Sequence, residues 1–122
     1  MIVEDAETCA STLEIVFSSI PGLRILTASS AEQAWEILES MSQNIDALVT
    51  DVHLPGMDGF ELIDRVRSNQ QHARMPILAI TGSTDPDTPA RLRQCGANAV
   101  FSKPYSPGQV REKLEQLLSD ET

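Results

Sequence analysis

An α/β fold built on a doubly wound, five-stranded parallel sheet is predicted for this chain on three grounds. Short apolar runs alternate with amphipathic segments five times, and most of the runs are continuous, as strands buried on both faces are. Capping residues, prolines and glycines stand between them. The strict βαβαβαβαβα order calls for right-handed crossovers with helices on both faces of the sheet. At 122 residues the chain fits one domain around one core, residues 1–122, and no repeat, low-complexity tract or long linker divides it.

The elements follow in order. Met1-Ile2-Val3 is the first strand candidate, and Leu13, Val16, Phe17 and Ile20 make an i, i+3, i+4, i+7 stripe on the helix after it. Leu23 to Thr27 forms the second strand. Ser29 with Glu32, or Ser30 with Gln33, could close a capping box on a helix striped by Ala31, Ala34, Trp35 and Leu38. Ile45 to Thr50 is the third strand, and a helix from about Gly59 to Ser68 carries Leu62, Ile63 and Val66 behind Asp58, an N-cap candidate. Ile77 to Ile80 is the fourth strand, Thr88 is read as the cap before an N1 proline, Pro89, of the fourth helix, and Gly96 ends that helix. Ala97 to Phe101 is the fifth strand. Ser106-Pro107 opens a last helix with Val110, Leu114, Leu117 and Leu118 on its core face.

Composition narrows the function. The chain is 41% hydrophobic and 22% charged, as ordinary globular proteins are, and no apolar run approaches the ~18 residues of a membrane span. Nine basic against eighteen acidic residues give a charge of -9, which repels phosphate backbones and anionic lipid and argues against nucleic-acid and membrane partners. Cys9 and Cys95 lack C-x-x-C spacing and read as reduced core thiols of a cytoplasmic protein. No signal-peptide pattern precedes the first strand. The abrupt start at Met1 is consistent with a domain cut from a longer protein, and Ser119 to Thr122 reads as a natural end or the start of a linker.

In open parallel sheets ligands bind outside the carboxyl ends of the strands, where the connectivity reverses. At the ends of four of the five strands the residues are polar or charged: Glu4 and Asp5 after the first strand, Asp51 after the third, Thr81 after the fourth and Lys103 after the fifth. Asp is disfavoured in strands because its side chain competes for backbone hydrogen bonds, so Asp51 at the end of an apolar run calls for a functional reason. If the sheet order brings these ends together, three carboxylates converge. Pairs ~5 Å apart would repel by about 3 kcal/mol each at an effective dielectric of ~20, so the cluster needs a cation or a proton. Hard oxygen donors suit Mg²⁺, Lys103 offers an amine and Thr81 a hydroxyl to a phosphoryl group, and Asp51 is left as the nucleophile that forms an acyl phosphate.

With these residues the sequence resembles the receiver domains of two-component response regulators. The resemblance rests on M-I-V-E-D (1–5), V-T-D-V-H-L-P-G-M-D-G (49–59), I-L-A-I-T-G (77–82) and F-S-K-P-Y (101–105), and it spans nearly the whole chain. It implies a flavodoxin-like sheet in the order 2-1-3-4-5. It also implies that Asp51 accepts phosphoryl from a histidine kinase or histidine phosphotransfer protein. Mg²⁺ would be held by Asp51, by Asp5 directly, by Glu4 through water and by the backbone carbonyl of His53. Thr81 would bond the phosphoryl group and turn inward, Lys103 would bridge it, and Lys103-Pro104 would be cis. An effector or output domain would read the surface of the fourth helix, fifth strand and fifth helix, and phosphorylation-dependent dimers would form. Such a domain assists its own phosphorylation and dephosphorylation and is not expected to turn over an external substrate.

One position departs from the family pattern: Val100 stands where Tyr or Phe is usual, three residues before Lys103, while Phe101 has the opposite strand parity and is expected in the core. Gly82 after Thr81 leaves room for a phosphoryl group. His53 is read as an exposed loop residue on the rim of the site that modulates water access, His72 as a surface residue and Tyr105 as part of the output face. Two rival readings exist. One is a phosphatase-like enzyme with an aspartyl-phosphate intermediate, in which His53 would occupy the acid/base place. The other is a receiver-like interaction module that is never phosphorylated.

Overall fold

The computed structural model describes residues 1–40 and 45–119. Along them run β1 (Ile2–Val3), α1 (Glu7–Phe17), β2 (Thr27–Ala28), α2 (Ala31–Ser40), β3 (Leu48–Asp51), α3 (Gly59–Ser68), β4 (Ile77–Thr81), α4 (Thr88–Cys95), β5 (Ala99–Ser102) and α5 (Pro107–Ser119). All strands pair in parallel in the order β2-β1-β3-β4-β5, the fold and sheet order expected. The connectivity reverses between β1 and β3, which places a crevice at their carboxyl ends. Asp120, Glu121 and Thr122, the expected end or linker start, lie outside the described residues.

Strand periodicity sorts the apolar residues onto two faces. Val3, Leu48, Ile77 and Ala79 face α2, α3 and α4, where Ala34, Leu38, Leu62, Ile63, Val66 and Leu92 meet them. Ile2, Val49, Leu78 and Ile80 face α1 and α5 and pack on Leu13, Phe17, Val110 and Leu114. The helical stripes thus point where their spacing put them. Val100 joins the first cluster and Phe101 the second, as opposite parity requires.

Several boundaries differ from the sequence reading. β2 is only Thr27–Ala28, and Leu23 to Leu26 lead into it, because an edge strand pairs only as far as its neighbour allows and β1 is two residues long. β3 starts at Leu48 and includes Asp51. α1 stops at Phe17 because Ser18 and Ser19 turn their hydroxyls back to the carbonyls of Ile15 and Val16 ahead of Pro21, and Ile20 packs from the following turn.

Caps follow a similar logic. Ser30 Oγ accepts the Gln33 N–H at 3.0 Å while the Gln33 carboxamide takes the Ser29 N–H at 2.8 Å, so both serines share the α2 cap. Asp58 Oδ1 accepts the Glu61 N–H at 2.9 Å and caps α3 as expected. Thr88 is the first residue of α4 rather than its cap, Asp87 precedes it without a side-chain cap bond, and Ser106 caps α5 through the Gln109 N–H. Gly96 ends α4 with φ 125°, a conformation that favours glycine.

Other side chains correct the sequence reading. Cys9 and Cys95 are free thiols but only half-buried. His72, expected on the surface, is half-buried with Nε2 3.3 Å from the Leu38 carbonyl. Among the described residues no helix is long and apolar enough to cross a membrane.

Candidate functional site

The β3 ladder continues past the strand, with the Val52 N–H donating to the Ile80 carbonyl, and so holds Asp51 inside the sheet edge at 4% exposure. Directly behind it α3 begins. The Gly59 N–H donates to the Val52 carbonyl at 2.8 Å, and a Cβ on Gly59 would lie 2.6 Å from Val52 Cα and 2.8 Å from the Asp51 carbonyl oxygen. Only glycine lets the helix start this close to the aspartate.

Glu4 follows β1 and is likewise buried, at 5% exposure, with Oε1 accepting the Ala6 N–H at 3.2 Å. Asp5 is exposed beside it. One carboxylate oxygen from each of Glu4, Asp5 and Asp51 lies within 4.8 Å of the others, so the predicted convergence of three acids holds. Lys103, at the end of β5, reaches in to place Nζ 3.0 Å from Asp51 Oδ2 and 3.8 Å from Glu4 Oε2. Its bond to Pro104 is cis, as expected.

Burial, followed by the charge of Asp51, pushes Glu4 from an ordinary 4.5 up to about 7, and Lys103 relieves this only in part. Burial by itself would lower the Lys103 amine, but the hydrogen bond and attraction of Asp51, together with Glu4, outweigh it and hold the amine above its ordinary value. The site therefore favours a proton or a cation among its carboxylates. Three hard oxygen donors gathered this way fit a small divalent cation such as Mg²⁺.

Thr81, the last residue of β4, is 1% exposed. Its Oγ1 accepts the Ser83 N–H at 3.0 Å and sits 2.8 Å from His53 Nε2. Ser83 Oγ in turn lies 3.1 Å from Thr88 Oγ1 in the first turn of α4. His53 is exposed, as read from the sequence, but its ring is engaged with Thr81 instead of lying free on the rim, and its N–H donates to Asp51 Oδ1 at 3.2 Å. Ser83 and Thr88 were not singled out as site residues by sequence reasoning. The available signal was spacing: His53 and Ser83 each stand two positions beyond a strand-end residue.

Comparison with known proteins agrees with this geometry. The family model of the response regulator receiver domain matches residues 1–115, and the chain belongs to that family. A chemotaxis protein CheY homolog of Campylobacter jejuni is 27% identical over 118 residues, covering 97% of this chain and 90% of that protein. A putative response regulator from Chloroflexus aurantiacus superimposes with a TM-score of 0.84 at 34% identity, over 97% of this chain and 94% of that one. The receiver domain of a sensor histidine kinase from Pseudomonas aeruginosa, solved with magnesium coordinated in its active-site cleft, superimposes with a TM-score of 0.83 at 26% identity, over 97% of this chain and 94% of that one. Receiver domains are signalling switches of two-component systems, with histidine kinases and output domains as partners.

Proposed function

We propose that this chain is a single phosphoacceptor domain in which Asp51 takes a phosphoryl group from the phosphohistidine of a histidine kinase or histidine phosphotransfer protein. An Asp51 carboxylate oxygen attacks phosphorus, the P–O bond forms as the P–N bond breaks, and the histidine nitrogen leaves with the electron pair. Lys103 Nζ, already 3.0 Å from Asp51 Oδ2, neutralises the arriving phosphoryl oxygens, and the Thr81 hydroxyl bonds another of them. Glu4, Asp5, Asp51 and the backbone carbonyl of His53 would hold Mg²⁺. When bound, the ion would supply charge neutralisation for the phosphoryl oxygens. The observation that carries this reading is the meeting of Lys103 with both Asp51 and Glu4, on side chains from three different strand ends, inside one acidic cluster.

The same reading places the domain in the cytoplasm and gives it no external substrate. It assigns the output surface, for an effector or an attached domain, to α4, β5 and α5, with pairing of two phosphorylated copies through that face. Sedimentation with and without beryllofluoride checks the pairing.

Beryllofluoride, a phosphoryl mimic, titrated with Mg²⁺ against the wild type and Asp51→Asn tests the central claim. Saturable binding by the wild type and none by the variant is expected. Equal responses would remove Asp51 from the phosphoacceptor role.

A further inference from the structure

We infer that His53 is a positioning residue that holds the Thr81 hydroxyl through its ring, so that a phosphoryl group on Asp51 competes with the His53–Thr81 contact for that hydroxyl. The inference rests on the phosphoacceptor reading of Asp51 and adds a regulatory contact to it.

A threonine hydroxyl has one proton and two acceptor lone pairs. In Thr81 one lone pair takes the Ser83 N–H, and the 2.8 Å contact with His53 Nε2 uses the proton or the second lone pair. If the proton goes to Nε2, the donor a phosphoryl oxygen needs is in use. If Nε2 carries the hydrogen, two donors converge on Oγ1 and pin the side chain to the loop. In the first case a phosphoryl oxygen competes with Nε2 for the proton itself, and in the second it must draw on a side chain whose rotation would give up the histidine.

The placement of His53 suits such a latch. Its backbone N–H donates to Asp51 Oδ1 and its ring reaches across to β4, so one residue touches both the nucleophile and the hydroxyl that would read its modification. Behind Thr81 the loop is bound to α4 through Ser83 Oγ and Thr88 Oγ1, and Thr88 is 4% exposed. Release of Thr81 from His53 therefore acts on a segment already tied to the first turn of α4. The side chain at position 100, a valine packed against the α2–α4 cluster, adds no hydrogen bond of its own to this route.

The test is a double-substitution cycle on the full chain, with beryllofluoride affinity read by calorimetry at saturating Mg²⁺. His53→Ala should tighten binding about 2- to 10-fold, the worth of one hydrogen bond that no longer has to be broken. In a Thr81→Ala background the same substitution should change affinity by less than about 1.5-fold, since coupled residues are non-additive. His53→Gln, which keeps a polar partner for the hydroxyl, should return the affinity toward the wild-type value. Unchanged or weaker binding by His53→Ala overturns the latch, and so does an equal tightening in both backgrounds. If the wild type binds, Asp51→Asn does not and His53→Ala matches the wild type, the latch alone fails. If the wild type does not bind, or Asp51→Asn binds equally, the phosphoacceptor reading falls and the latch with it.

Discussion

At the scale of single residues the site is defined by a carboxylate held where water cannot relieve it. Glu4 is buried beside Asp51, and its ordinary 4.5 rises to about 7. The folded state thus prefers the protonated acid, and the contribution of that preference to stability is complete below about 4.5, declines as pH rises toward 7 and is gone above it. In metal-free protein kept in EDTA, Glu4→Gln should remove this dependence. The stability of the wild type relative to the variant should fall by about 1–3 kcal/mol between pH 5 and pH 8, from a shift worth 1.36 kcal/mol per unit, as read by urea unfolding. A difference that stays flat with pH would show that Glu4 titrates normally. This burial was not legible from the sequence, where Glu4 and Asp5 are adjacent acids of equal standing. Only the folded chain, which buries Glu4 just past β1 and leaves Asp5 exposed in the bend after it, separates them.

At the scale of elements, two helices are seated by contacts that sequence periodicity does not reveal. α3 begins against β3, where a methyl group on Gly59 would meet the backbone of both Asp51 and Val52. Gly59→Ala should therefore cost about 1–3 kcal/mol in denaturant unfolding and weaken beryllofluoride uptake, because the rigid neighbour is the chain that carries the nucleophile. A neutral result would mean that the helix start can slide. α4 is seated at its other end by Arg67, whose guanidinium and Nε donate to the carbonyls of Gly96, Ala73 and Met75 and to Asn98 Oδ1. The same Asn98 oxygen accepts the Ile77 N–H, so one arginine joins α3, α4 and the start of β4. Arg67→Met should destabilise by about 2–4 kcal/mol through the unpaired carbonyls. Arg67→Lys should recover less than half of that loss, because an ammonium cannot span the same fork. Equal stability of the lysine variant and the wild type would reduce Arg67 to a point charge. Neither contact could be read from the one-dimensional pattern, since Arg67 occupies a helix position that periodicity leaves to solvent.

At the scale of the whole molecule, order and chemistry were legible and lengths and cross-loop pairs were not. Glu4, Asp5, Asp51, Thr81 and Lys103 could be named because parallel strands bring their carboxyl ends to one edge, whatever the precise strand bounds. β2 could not be measured because its length belongs to β1, and the His53–Thr81 pair spans 28 positions and depends on how β3 and β4 stand in register. The same edge concentrates part of a net charge of -9, which predicts how the molecule responds to cations. A ligand that binds only the folded state stabilises it by RT ln(1 + [L]/Kd), about 1.4 kcal/mol at ten times Kd. For a domain of this size that raises Tm by roughly 4–8 °C. Mg²⁺ added at fixed ionic strength should produce such a rise, and EDTA should reverse it. Diffuse attraction of the acidic surface for any divalent ion would give a similar trend, so the decisive comparison is Asp5→Asn. That residue is exposed, and its substitution removes one donor oxygen and one charge while leaving the buried core intact. The Mg²⁺-dependent rise should largely vanish in Asp5→Asn, while the response to NaCl stays that of the wild type. A rise of equal size in both proteins would assign the cation to the general surface instead of to the crevice between β1 and β3.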